Sequence, residues 1–185
     1  MDSSSLGRHV RGRVGHFTLV ITVLAALLLA RPGNLAAADD FDATLQKANI
    51  YIELVKSTER ALESWERYQS WVNLKTGPTG KERYISYGLY DVPVLEDQAK
   101  EARAAAGASP NVAQIDALIP GYLDAYEALA PVVNQASAYY DSQGYEADNA
   151  AEGQALHKKI VPLMLAFVAK RDALMPLLRA FVRDV

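Results

Sequence analysis

Nine residues between Val112 and Tyr140 confine much of this chain to helix. Val112, Ile115, Ile119, Tyr122, Tyr126, Leu129, Val133, Ala136 and Tyr140 follow one another at alternating steps of three and four. That period places them on one continuous face of an α-helix, whereas in a strand they would scatter over both faces. The seam runs unbroken for four heptads. Pro120 and Pro131 lie beside it. Each lacks a backbone donor and crowds the preceding turn, so kinks are expected there, with a break into two helices near Pro120 as the alternative.

The same periodicity predicts three further helices. The first spans about Asp42 to Leu74, with Leu45, Ala48, Ile52, Val55, Leu62, Trp65 and Val72 on one face. A short second helix runs from about Val94 to Ala106 and stops at Gly107, with Ser109 or Asn111 available to cap the seam helix. The last runs from about Glu152 to Arg183, with Leu156, Ile160, Leu163, Phe167, Leu174, Leu178 and Phe181 inward and bends expected at Pro162 and Pro176. Between the first two lies a loop, Lys75 to Pro93, dense in Gly and Pro. Its tyrosines, Tyr84, Tyr87 and Tyr90, are expected to lay their rings on the bundle and keep their hydroxyls wet. No stretch beyond residue 38 alternates as a strand would. The expected fold is all-α: an antiparallel bundle of about four helices, the long ones kinked.

The N-terminus reads differently. Arg8, Arg11 and Arg13 precede Phe17–Ala30, an uncharged run of 14 residues that is apolar but for Thr18 and Thr22, and then Ala36-Ala37-Ala38 and two aspartates. This is the order of a cleavable signal peptide, with the cut expected after Ala38. The run falls short of the ~20 residues of a spanning helix. Gly12 separates Arg11 from Arg13, so the twin-arginine signal is absent and the general secretory route is expected. The domain organisation is thus a signal peptide over 1–38 and one helical domain over 39–185, periplasmic or secreted, with no stable membrane anchor after cleavage.

Charge and cysteine usage narrow the function. Residues 1–38 hold four of the 19 basic side chains and one of the 22 acidic ones, which leaves 15 basic against 21 acidic, a formal charge of −6, for residues 39–185. A nucleic-acid binder must neutralise phosphates, so this balance argues against one, and equally against an electrostatic grip on anionic lipid. The chain has no cysteine. Disulfides, cysteine-based zinc sites, thiol nucleophiles and a lipidated cysteine are therefore excluded.

Several short stretches resemble a known family. Asn49-Ile50-Tyr51-Ile52, Gly77-Pro78-Thr79-Gly80-Lys81-Glu82, Tyr87-Gly88-Leu89-Tyr90, Tyr139-Tyr140, Gly144-Tyr145, Asp148-Asn149, Gly153 and Leu156-His157 are similar, in order and spacing, to the YiiG-like bacterial exported proteins of unknown function. The resemblance implies a helical domain outside the cytoplasm, often lipid-anchored, and brings no catalytic residues. The missing cysteine departs from the anchored pattern and favours a soluble form.

Two groups of residues are candidate sites. Tyr139, Tyr140, Tyr145, Asp148, Glu152 and His157 surround the connection into the last helix. Acids and a histidine near a turn can receive a cation or a small ligand, and Tyr139, Tyr140, Asp148 and His157 are the candidate ligand residues. Glu152 and His157 are five residues apart, out of register for chelation on one helix. Asp148 and Asn149 also suit a helix cap, and the tyrosine hydroxyls suit a locked turn. No metal ligand set is assigned. The second group, Trp65, Trp71, Tyr84, Tyr87 and Tyr90, with Tyr68 among them, suits either an interaction surface or a loop tucked onto the bundle. Gly77 to Glu82 is no phosphate loop: its glycines are three apart, no strand precedes it, and Glu82 stands where a hydroxyl residue is needed. His157 is the one histidine beyond the signal segment, and no nucleophile elbow accompanies it. The expectation is a non-enzymatic binding or scaffold module of the cell envelope without cofactor. Its partner would be an envelope protein, a small ligand or a second copy of the chain.

Overall fold

In the computed structural model, residues 32–184 are described, with side chains from residue 39. The signal-segment expectation falls mainly outside them, and only the backbone of its last seven residues is seen. The elements are α1 (Pro32–Ser57), α2 (Glu59–Gln69), a 3-10 turn (Ile85–Tyr87), α3 (Glu96–Ala106), α4 (Ala113–Asp116), α5 (Ile119–Asp141), α6 (Gly144–Asp148) and α7 (Ala151–Asp184). No strand occurs among the described residues, and none of their helices is long and apolar enough to cross a membrane.

The helices form four columns of alternating direction. Lys47 meets Asp116, Thr58 meets Tyr122 and Tyr68 packs on Tyr140, so α1–α2 and α4–α5 run the same way. The stretch from Leu89 through α3 runs back along α5, bonding in turn near Ser137, Asn134, Tyr126 and Asp124. α7 returns antiparallel to α5, with His157 at the Tyr68 end and Phe167 against Tyr122 and Tyr126. The fold is therefore an all-α, up-down-up-down bundle.

The seam is its axis. Ile115, Ile119, Tyr122, Tyr126, Leu129, Val133, Ala136 and Tyr140 are all buried; only Val112, at the end, is partly open. Each large apolar side chain so buried contributes roughly 1.5–3 kcal/mol. Of the two expectations for this stretch the break into two helices holds: it falls at Ala117–Leu118, and Pro120 lies in the first turn of α5, where its missing donor has no intrahelical partner to lose. Pro131, Pro162 and Pro176 lie inside helices on exposed positions, where the carbonyls they free can be hydrated. Neither Ser109 nor Asn111 caps α4; the Asp116 carboxylate accepts the Val112 N–H instead, at 2.8 Å.

The first helix also divides. The buried Thr58 hydroxyl donates to the Val55 carbonyl at 2.7 Å and bonds the Tyr122 hydroxyl. A hydroxyl that engages the preceding turn bends a helix, and α2 resumes one residue later. α2 then ends at Gln69, short of the expected Leu74.

Candidate functional site

Most of the stretches that carry the family resemblance meet at one end of the bundle. α2 brings Tyr68 there, the end of α5 brings Tyr139 and Tyr140, and the start of α7 brings Gly153 and His157. The rings interlock: Tyr68 and Trp71 stand edge-on at 5.1 Å, Trp71 and Tyr140 at 5.0 Å, Tyr139 and Tyr140 at 5.0 Å. Such edge-to-face pairs add to area burial. Two glycines permit the approach. At Gly88 the backbone has φ +56°, and a Cβ there would stand 2.8 Å from that of Tyr140. A Cβ on Gly153 would stand 2.9 Å from the Tyr140 hydroxyl and 3.2 Å from the Tyr139 ring.

The loop over this end has few internal backbone bonds, so side chains satisfy it. Gln154 Nε2 donates to the carbonyls of Thr76 (3.0 Å) and Pro78 (2.5 Å). Trp71 Nε1 donates to the Gly88 carbonyl at 2.9 Å, Ser64 bridges both backbone groups of Tyr90, and Asn134 bridges both of Val92. The buried anchors are Ile85, Leu89, Val92 and Leu95.

The four candidate ligand residues part into an inner and an outer pair. Inside, the Leu74 carbonyl, 3.2 Å from His157 Nε2, can only accept, so Nε2 carries the proton and Nδ1 accepts from the Tyr68 hydroxyl at 2.9 Å. Burial holds the His157 pKa below its usual value, against the raising effect of the Leu74 bond. The Tyr140 hydroxyl is buried beside Tyr68 and makes no hydrogen bond among the described residues. Burial, with the neighbouring Tyr68 and the Glu82 carboxylate, raises its pKa, and burial likewise raises that of Tyr68. Both stay phenols at neutral pH.

Outside, Asp148 Oδ2 accepts the Glu152 N–H at 2.8 Å, capping α7, while Oδ1 accepts from the Tyr139 hydroxyl at 2.8 Å. The backbone N–H of Glu152 is the main reason the Asp148 pKa lies below the ordinary carboxylate value. Burial, then the bond to Asp148, push Tyr139 up to about 12. Tyr139 and Asp148 line a hollow of about 510 Å³ with Gln135, Ser142, Gly144 and Glu152. Glu152 is turned to Gln135, 3.1 Å away. Among the described residues, no three of His, Cys, Asp and Glu gather as a metal-holding group.

The aromatic group divides too. Trp65 and Trp71 are core residues, each 8% exposed, whereas Tyr84 and Tyr87 are 40% and 48% exposed. The two tyrosines stack on each other at 5.1 Å and do not lie on the bundle as expected. Leu89 and Val92 take the inward positions of the loop. Tyr90 is half-buried under two guanidinium groups, Arg60 at 3.7 Å and Arg67 at 4.3 Å from its ring centre. Arg67 also donates to the Tyr87 carbonyl at 2.5 Å, and Arg83 lies 5.1 Å from the Tyr84 ring. The result is an exposed face of tyrosines held by arginines.

One polar centre escaped the sequence reading. Buried Lys47 donates to the carbonyls of Ala108 (2.8 Å) and Pro110 (2.7 Å) and to Asp116 Oδ2 (3.0 Å), while the Tyr51 hydroxyl donates to Asp116 Oδ1 at 2.5 Å. Its signal was a lysine on the buried stripe of the first helix: Lys47, Tyr51, Leu54 and Thr58 step by four, three and four. The set is fully bonded and closes on itself, tying α1 to the connection before α4.

Residues 42–175 match the profile of a protein family whose description is "Protein of unknown function (DUF3829)". No curated protein matches the chain, and no solved structure does.

Proposed function

The chain belongs to the DUF3829 family of proteins of unknown function, and from that premise we propose that it is a non-enzymatic binding or scaffold module of the bacterial cell envelope, exported by its N-terminal segment. The observation that carries this is the Tyr84–Tyr87 stack with its arginines. Tyrosine and arginine dominate the energetics of protein interfaces, because large rigid rings and a planar cation lose little freedom on contact. Holding these rings exposed, with Arg60 and Arg67 spread over Tyr90, is compatible with a face that waits for a partner. The signal-like residues 1–38 and the YiiG-like resemblance support the envelope as its place.

The test has two parts. Protein recovered from an expressing bacterium should begin at Asp39 and fractionate with the envelope; an intact N-terminus in the cytosol rejects the export reading. A photoreactive phenylalanine in place of Tyr87 should then give one discrete adduct that the same group at Leu165 does not. Equal labelling from both positions rejects the interaction face. A second reading places a small ligand in the Tyr139–Asp148 hollow. A saturable rise in Tm with a divalent cation, lost in Asp148→Asn, would favour it.

A further inference from the structure

A hollow lies between α1 and the C-terminal half of α7. It measures about 530 Å³, and Ile52, Val55, Met175, Leu178 and Val182 form its apolar floor. That volume falls in the range of small-molecule sites, ~300–1,000 Å³. The lining residues of α7 run from Arg171 to Arg183, a length of roughly 18 Å at 1.5 Å per residue. A hollow drawn out along α7 in this way suits one linear chain better than a compact ring.

The rim is cationic in a chain that is acidic as a whole. Lys56, Arg171, Arg179 and Arg183 line the groove against a single acid, Glu59. Lys56 is paired with Glu53, and Arg183 with Asp184. Arg171 and Arg179 enter none of the ion pairs among the described residues. Arg171 Nε is moreover buried with no hydrogen-bond partner among the described residues, and a buried donor left unbonded is costly. A planar guanidinium at the edge of an apolar floor is matched by a carboxylate, which accepts from it in bidentate fashion. The mean charge argues against binding to an anionic surface, but this groove gathers the opposite charge in one place.

We propose that the α1–α7 groove binds one long-chain fatty acid, its acyl chain along Val55, Met175, Leu178 and Val182 and its carboxylate on Arg171. The experiment titrates the full chain with palmitate, kept below its micellar concentration, and with hexadecanol as the neutral analogue. Saturable 1:1 uptake is expected, tighter for palmitate. Arg171→Gln should weaken palmitate about tenfold or more and leave hexadecanol within twofold; if that variant loses its helical circular dichroism, Arg171→Lys, which keeps the charge but not the bidentate fork, should still weaken palmitate severalfold and leave hexadecanol unchanged. Val182→Glu should weaken both ligands, and Leu165→Glu, elsewhere on α7, neither. Absence of uptake by the folded protein overturns the proposal, as does uptake only above the micellar concentration, or equal affinity for acid and alcohol in every variant. An acidic amphipathic peptide that saturates the groove while palmitate does not overturns it in favour of a protein partner.

Discussion

The Tyr68 hydroxyl stands 2.9 Å from Nδ1 of His157, and the bond joins α2 to the start of α7 across the most aromatic end of the bundle. It requires neutral imidazole, since a protonated ring has no acceptor at Nδ1. Burial also holds the His157 pKa below its usual value. The unfolded chain, near 6.5, therefore takes up a proton that the folded chain refuses. Stability from this residue is complete above pH ~6.5 and falls as the pH drops through that value, levelling off below the folded pKa. Urea titrations from pH 7.5 downward should show this loss in the wild type. His157→Gln, which keeps a donor and an acceptor, should remove the step. Identical slopes for both proteins would reject the neutral-histidine lock. The losses tied to Asp148 and Glu82 come at lower pH. The backbone N–H of Glu152 holds the Asp148 carboxylate low; for Glu82, burial raises the pKa, but the hydrogen bonds from Thr79 and from the backbone N–H groups of Glu82 and Gly80 together bring it below the ordinary value.

Gly88 tests the closeness of loop and helix. An added methyl group meets the Tyr140 Cβ at 2.8 Å, on backbone with φ +56°. Overpacking a core costs about 1–3 kcal/mol and the left-handed conformation about 1–2 kcal/mol more. Gly88→Ala is expected to destabilise by about 2–5 kcal/mol. Gly107 has only the Ala104 carbonyl within reach, at 3.7 Å, and lies at φ −90°, so Gly107→Ala should stay within ~0.5 kcal/mol. Denaturation midpoints of the two variants decide the matter, and equal midpoints would mean that the loop does not sit on Tyr140.

How much of this was legible in the sequence follows from where the information lay. The seam was legible because its signal is local: each step of three or four names the next buried residue, and Ile115 through Tyr140 obey it. The break at Ala117–Leu118 was legible as the alternative that Pro120 offered, being local too; the one at Thr58 was not, because the hydroxyl that bends the first helix does so in concert with Tyr122, far along the chain. The loop shows the same limit. Its tyrosines looked like the anchors, but Leu89 and Val92 took that place because Ser137 and Asn134 hold their backbone. The turn around Asp148 read correctly as a cap, being a contact within four residues. Which partners Tyr68 and His157 would choose was beyond reach, since 89 residues separate them.

The Lys47–Asp116 pair is 3% and 7% exposed at its side chains. Removing one partner of a buried pair leaves a charge without compensation and costs about 3–5 kcal/mol. Lys47→Met is expected to fall in that range, since it strands Asp116 and also the carbonyls of Ala108 and Pro110. Lys47→Met with Asp116→Asn removes both charges and should be less destabilised than the sum of the single variants, by about 1–3 kcal/mol. A double-mutant cycle by urea denaturation measures that coupling. Strict additivity would show that the two side chains do not act as a pair.

Leu129 sits at the middle of the seam and has no exposed surface, while Leu165 on α7 is 56% exposed. The two residues are chemically identical and differ in burial alone. Leu129→Ala removes buried methyl groups and leaves a cavity between α5 and its neighbours, at about 2–5 kcal/mol. Leu165→Ala should change stability by less than ~0.5 kcal/mol. Leu129→Asp goes further: an ionised carboxylate there has neither water nor a partner, and the domain should fail to fold at neutral pH. Thermal melts followed by circular dichroism separate the three outcomes. A cooperative melt for Leu129→Asp near that of the wild type would remove the seam from the core and, with it, the four-column arrangement. An ordinary melt for Leu165→Ala beside a lost one for Leu129→Asp would tie the stability of the bundle to the 3.5-residue period read from the sequence.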